Sequence, residues 1–210
     1  MTPGARIAAA IEVLDLILHG AAAEQQLTRW ARAHRFAGSG DRAAIRDHVF
    51  DALRRKRSAA ALGGAETGRG IMIGLLRAQG HDPAVLFNGQ GHSPTPLSDD
   101  ELAHQSAPTG NVALDCPEPV APLLRDSLGQ DFASVMQLMQ SRAPVFLRVN
   151  AHLATRDQAQ SVLAQDGIET VPSALSKTAL EVIGNTRKIR SGQAFLSGLV
   201  EVKDAASQAV

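Results

Sequence analysis

The chain predicts an α+β protein: an all-helical bundle first, then a small split-βαβ domain. Three observations carry this. Apolar residues recur every three or four positions through residues 3–79, and from Val145 the period changes to two. Hydrophobic residues make up 44% of the 210 residues but aromatic ones only 3%, with no tyrosine. A core assembled from Ala, Leu, Val and Ile favours helices.

The first helix is expected over Pro3–His19, where Ile7, Ile11, Leu14 and Leu18 share a stripe and Gly20 ends it. A second covers Ala22–Arg35 with Leu27 and the lone Trp30 facing inward, and Gly38-Ser-Gly40 turns the chain. A third is expected to run unbroken from Asp41 to Ala61, presenting Ile45, Val49 and Ala52, until Gly63-Gly64 breaks it. Gly68–Gln79 supplies a fourth, with Ile71, Leu75 and Leu76. Residues 80–117 look loosest, because Gly89–Pro96 is turn chemistry throughout. Within them Asp99–Gln105 is expected as a short helix and Ala107–Asp115 as loop. Pro119–Leu128 and Asp131–Arg142 complete the helical part.

Beyond it, Val145, Leu147 and Val149 alternate with Phe146, Arg148 and Asn150, as on a strand. Thr155 and Gln158 form a capping box for a helix that buries Ala159, Val162 and Leu163 and stops at Gly167. Ile168–Val171 and Thr178–Ile183 read as strands, Arg187–Leu196 as a short helix, and Leu199–Lys203 as the last strand. That order, βαββ(α)β, is the ferredoxin-like split-βαβ arrangement. Asp204 then stands where an N-cap belongs, ahead of Ala205-Ala-Ser-Gln-Ala.

Net charge is zero, but unevenly spread. Residues 29–77 hold eleven Arg or Lys against four acids, a net of +7, whereas residues 78–145 hold two against eight, a net of −6. Nearly all the cations of the first block are arginine, the side chain best suited to bidentate phosphate contact. On the third helix Arg46, Phe50, Arg54 and Arg57 fall within an arc of roughly 80° at about 100° per residue, with Arg42 one turn before them. Such a face can neutralise several phosphates while Phe50 stacks on a base. It also fits a solvated charged face whose last arginines complement the helix C-terminus. In the small domain Phe146, Arg148 and Asn150 share a face. If open, it can hold an unpaired nucleotide; if covered, Phe146 is core and Arg148 a bridge. Arg187, Lys188 and Arg190 form a compact basic turn.

Several chemistries are disfavoured. Gly63–Gly70 lacks the Gly-Lys-Ser/Thr ending of a phosphate-binding loop and follows no strand. The seven histidines show no metal-ligand spacing, so no metal is expected. Cys116 is the only cysteine, which excludes an internal disulfide and fits a reducing compartment. No run approaches the ~18 apolar residues of a membrane span, and Glu12 and Asp15 interrupt the apolar N-terminal stretch. A soluble, cytoplasmic, monomeric protein without a membrane partner is expected.

Two stretches carry a resemblance. Ala143-Pro-Val-Phe-Leu-Arg-Val-Asn150 resembles the "LRVN" strand of the RsmB/Sun family of RNA cytosine-C5 methyltransferases. Gly198-Leu-Val-Glu-Val-Lys-Asp-Ala-Ala-Ser-Gln208 resembles the turn by which that family enters its S-adenosylmethionine domain. Lys203 stands where the family has Gln, and Cys116-Pro-Glu-Pro lacks the Trp-Leu that follows the family's Cys-Pro.

The resemblance implies a NusB-like helical RNA-binding domain over 1–142, with 80–117 as its loose linker. A small α+β domain over 143–203 would follow, and 204–210 would begin the catalytic domain. It implies small-subunit (16S) rRNA as partner, passing near Arg187, Lys188 and Arg190, and S-adenosylmethionine bound in a domain beyond Val210 rather than in this chain. Cytosine-C5 methylation needs an attacking thiolate, and the family uses a second cysteine for product release. Cys116 lies between helices instead, so no catalytic residue is expected here. A free-standing NusB-like adaptor, binding RNA or protein without any role in methylation, is the alternative.

Overall fold

In the computed structural model, which describes residues 1–210, Thr2 caps the first helix, accepting from Ala5 N at 3.2 Å with Pro3 in the first turn. This helix, α1 (Pro3–Leu18), buries Ile7, Ala10, Val13 and Leu14. Leu27 and Trp30 of α2 (Ala23–Ala33) and Ile45, Val49 and Ala52 of α3 (Ser39–Arg54) close over it. All pack around α5 (Gly68–Ala78), which is buried on every side through Ile71, Met72, Ile73, Leu75 and Leu76. The glycine-rich run serves this packing. A Cβ on Gly74 would overlap the Ala59 carbonyl, and one on Gly63 the Gly70 carbonyl, so only glycine lets the two helices approach this closely.

The third predicted helix is not continuous. It ends at Arg55 (φ −116°, ψ 28°), and α4 (Lys56–Gly63) starts afresh. The cause is distant in sequence. Asp115, itself in the left-handed region at φ 51°, accepts from Arg57 N (2.8 Å), Ser58 N (2.9 Å), Ser58 Oγ (2.7 Å) and Gln140 Nε2 (2.7 Å). Helix α4 has no side-chain cap of its own, so this carboxylate satisfies its first backbone donors.

Residues 80–117 are held at many points. Phe87 is fully buried in the main core. Arg69 lies over its ring at 4.9 Å, donates to the Thr95 and Pro96 carbonyls (3.2 and 3.0 Å), and grips both oxygens of Glu101 (2.7 and 2.8 Å). Arg77 donates to the carbonyls of Leu62 (2.8 Å) and His104 (3.2 Å). These two arginines supply the donors that irregular backbone needs. The segment contains α6 (Asp99–Ala103), within the expected short helix, and a one-turn α7 (Gly110–Ala113) in the stretch expected as loop. Then α8 (Ala121–Leu128) and α9 (Phe132–Met139) enclose a separate small cluster of Cys116, Ala121, Phe132 and Met136.

The Arg69 guanidinium is the main reason the Glu101 carboxyl is held down to about 2, against the opposing effect of burial, with the Ser98 N–H assisting. A carboxyl with a depressed folded value stabilises fully above its unfolded value of about 4.3 and loses that contribution as pH falls toward 2. Glu101→Gln should therefore cost on the order of 2 kcal/mol at neutral pH and flatten the fall in stability between pH ~4.5 and ~2. Urea unfolding across that range measures it; an unchanged acid limb would show that Glu101 contributes nothing.

Residues Met1–Arg142 form one compact unit and Ala143–Val210 a second. In the second, β1 (Val145–Val149), α10 (Arg156–Gln165), β2 (Glu169–Pro172), β3 (Ala179–Gly184), α11 (Gln193–Leu196) and β4 (Val200–Val202) follow in order. The sheet runs β2-β3-β1-β4 with every neighbour antiparallel, which is the ferredoxin-like arrangement and makes the protein α+β as its sequence predicts. Thr155 and Gln158 form the capping box of α10. Leu147, Val149, Leu180, Val182 and Val200 pack against Ala159 and Leu163 of α10, Ile189 and Ala194. After β4, Asp204 accepts from Ala206 N (2.9 Å) to open the one-turn α12 (Ala206–Ala209). Gln208 ties back to Lys203 O (2.9 Å) and Thr178 Oγ1 (3.2 Å).

Candidate nucleic-acid interface

Helices α2 and α3 leave between them a depression of about 530 Å³ whose floor is Leu27, Trp30 and Ile45 and whose rim carries Arg32, Arg35, Arg42 and Arg46. No carboxylate lines it. Arg32, Arg35 and Arg42 are exposed and enter no ion pair, whereas Arg46 makes a two-pronged contact with Glu24 (one leg 2.7 Å) and lies 5.2 Å from the Phe50 ring centre. Unpaired guanidiniums around an apolar floor focus positive potential and retain all their donors for an anion.

The expected arginine face is divided by the break at Arg55. Arg46, Phe50 and Arg54 do come together, in a depression of about 470 Å³ completed by Arg142, but Asp47 and Asp51 share it. Asp51 pairs with Arg54 at 2.7 Å and Asp47 with Arg142 at 3.4 Å. Phe50 is half-buried against the main core. Arg57 lies on α4 and is turned to the 115–118 segment, where it donates to the Cys116 carbonyl and pairs with Glu118 at 2.8 Å. Arg42 instead joins Arg32 and Arg35. Those two stood in the basic block but outside the expected face; their i,i+3 spacing just after Trp30 was the available signal.

In the second unit, Arg148 pairs with Glu201 at 2.5 Å, directly across the β1–β4 ladder. Asn150 lies past the end of β1: its N–H donates to Leu199 O (2.9 Å), and its side chain accepts from His152 N (3.2 Å) to close a turn. Arg187, Lys188 and Arg190 are all exposed on a 3₁₀ turn, Thr186–Ser191, while Ile189 between them is buried. Three residues per turn place Arg187 and Arg190 on one side.

The Cys116 thiol is fully buried in the cluster with Ala121, Phe132 and Met136, and its sulfur donates to the Pro117 carbonyl at 3.8 Å. No cluster of His, Cys, Asp or Glu could hold a metal ion, and no helix is long and apolar enough to cross a membrane. A cradle for S-adenosylmethionine needs a strand leading through a glycine-rich turn into a helix. Here β1 leads to α10 through Asn150-Ala-His-Leu-Ala-Thr155, which carries no glycine, so these residues do not fit that group.

Comparison with known proteins bears on the same regions. The family described as RsmF/B-like methyltransferase, ferredoxin-like domain, matches over residues 117–187, from the Cys116 cluster through β3 into the basic turn. Ribosomal RNA small subunit methyltransferase B of Vibrio cholerae serotype O1 is 35% identical over 86 residues, which are 41% of this chain and 20% of that protein. The crystal structure of PH0851 superposes with a TM-score of 0.62 at 18% identity, over 99% of this chain and 54% of the other, a likeness of fold. The chain thus spans about a fifth of the curated relative and about half of the solved one. A helical unit followed by a ferredoxin-like sheet, with the sequence match running into that sheet, makes the chain similar to part of the RsmB/Sun-type rRNA methyltransferases.

Proposed function

We propose that this chain is the RNA-recognition part of an rRNA methyltransferase, gripping small-subunit (16S) rRNA and presenting a cytosine for C5 methylation by a catalytic domain that holds S-adenosylmethionine. The observation that carries this is the depression between α2 and α3, where Arg32, Arg35 and Arg42 stand unpaired and no carboxylate intrudes. Phosphates are the ligands that such a rim neutralises. Arg46, Phe50 and Arg54 extend the grip along α3. In the second unit Arg187, Lys188 and Arg190 give a further phosphate contact, and Arg148 and Asn150, towards the opposite end of β1, a separate one. Arg57 takes no part in this reading, because it is engaged with Glu118 and the Cys116 carbonyl. The family match over 117–187 supports the methyltransferase reading over a free-standing adaptor. The chain works as a cytoplasmic monomer.

Anisotropy titrations with fragments of 16S rRNA test it, alongside DNA duplexes of equal length, at several salt concentrations. Saturable binding to rRNA with a steep salt slope is expected, and binding to duplex DNA weaker. Equal affinity for both, or none for either, would reject the assignment.

A further inference from the structure

Beside the arginine depression, and sharing Trp30 with it, lies an apolar hollow of about 620 Å³ lined by Ala5, Ala9, Trp30, His34, Phe36 and His92 among others. Trp30 and His34 stack at 4.3 Å with rings 15° apart, and Phe36 stands edge-on to His34 at 5.7 Å. Hydrogen bonds fix the first two: Trp30 Nε1 donates to Glu12 Oε2 (3.3 Å), and His34 Nδ1 bonds the Trp30 carbonyl (2.9 Å). Phe36 is different. It sits in the turn between α2 and α3, 74% exposed, one residue after Arg35 of the basic rim. In a chain with only 3% aromatic residues, three rings joined by two consecutive contacts at one site, ending in an exposed phenyl ring, call for a ligand with a flat face.

We infer that this ledge receives an unpaired nucleobase, stacked on Phe36 and the edge of His34, from the RNA strand whose phosphates lie along Arg32, Arg35 and Arg42. The inference rests on the RNA-binding reading of the depression and deepens it, making the substrate single-stranded or looped RNA. Charge complementarity selects this occupant: an aromatic ledge alone fits many apolar partners, but one bordered by three unpaired arginines fits a base attached to phosphates. A base held within a duplex cannot reach the ring.

The test uses the full chain, a 12-nucleotide single-stranded RNA and the same sequence as a blunt duplex. Trp30 is the only tryptophan, so its fluorescence reports on the ledge directly. The single strand is expected to quench Trp30 and bind more tightly than the duplex. Phe36→Ala should weaken single-strand binding by about tenfold with an unchanged salt slope, leave duplex binding as it was, and Phe36→Trp should restore affinity. Phe36 is exposed, so neither change threatens the fold. Loss of binding in an Arg32/Arg35/Arg42 alanine variant, with Phe36→Ala indistinguishable from the parent, would overturn the ledge and leave the depression standing. Absence of RNA binding by the parent would overturn both. A dimer in sedimentation that Phe36→Ala dissociates would assign the ledge to a second copy of the chain, and overturn the inference as well.

Discussion

Alanine at Arg32, Arg35 and Arg42 together is expected to lower affinity for a single-stranded 16S rRNA fragment by about a hundredfold near 0.1 M salt, at roughly fivefold per lost phosphate contact. The salt dependence is the sharper signature. Each phosphate neutralised on a single strand contributes about 0.7 to the slope of log K against log salt, so three lost contacts should reduce it by about 2. The fold should be unaffected, because all three side chains are exposed and none is engaged in an ion pair. The instructive control is a second triple variant, Arg46, Arg54 and Arg57 to alanine. Those arginines contact Glu24, Asp51 and Glu118, respectively, and exposed pairs of this kind contribute little to stability. Arg57 also holds the Cys116 carbonyl. The control should therefore change the slope less and the melting temperature more. A slope unaltered by the first variant, or moved more by the second, would transfer the grip from the α2–α3 depression to the α3 face.

The sequence made the second unit legible because its signals are local. The shift from a period of three or four to one of two at Val145, the reciprocal cap of Thr155 and Gln158, and the stop at Gly167 each involve residues a few positions apart. The structure realises them as β1, α10 and the turn before β2. The first unit was legible only in part, for a physical reason. Nothing near Arg55 announces a break, since the region from Asp41 to Ala61 is good helix sequence throughout. The break is imposed by a carboxylate nearly sixty residues later. Charge counting fails in the same way. Arg69, Arg77 and Arg57 belong to the basic block, yet they satisfy carbonyls and carboxylates of the 86–118 stretch. Only tertiary structure separates a cation used in folding from one left for a ligand. By that separation Arg57 belongs to the fold, and Arg32 and Arg35 to the candidate interface.

The same long-range link sets the largest stability effect. Replacing Asp115 by alanine removes four hydrogen bonds at once and leaves the first backbone donors of α4, Arg57 N and Ser58 N, without a partner, while Ser58 Oγ keeps only its bond to Arg55 O. A lost helix cap costs about 0.5–2 kcal/mol, and unsatisfied buried donors add about 1–3 kcal/mol. Alanine also tolerates the φ of 51° poorly. A total near 3 kcal/mol is expected, lowering the melting temperature of the helical unit by about 10 °C. Trp30 fluorescence follows that unit alone, since it lies within Met1–Arg142. Asp115→Asn separates the causes: it accepts the left-handed conformation and keeps one oxygen acceptor, so it should lose about half as much. Asp115→Gly removes the conformational penalty but not the missing acceptor, and should stay close to alanine. If all three variants melt within a degree or two of the parent, water or the chain itself caps α4, and the break at Arg55 has a local cause after all. If only glycine rescues, backbone strain outweighs capping. The expected order, asparagine well above glycine and glycine slightly above alanine, would identify the carboxylate as the group that ends one helix and begins the next.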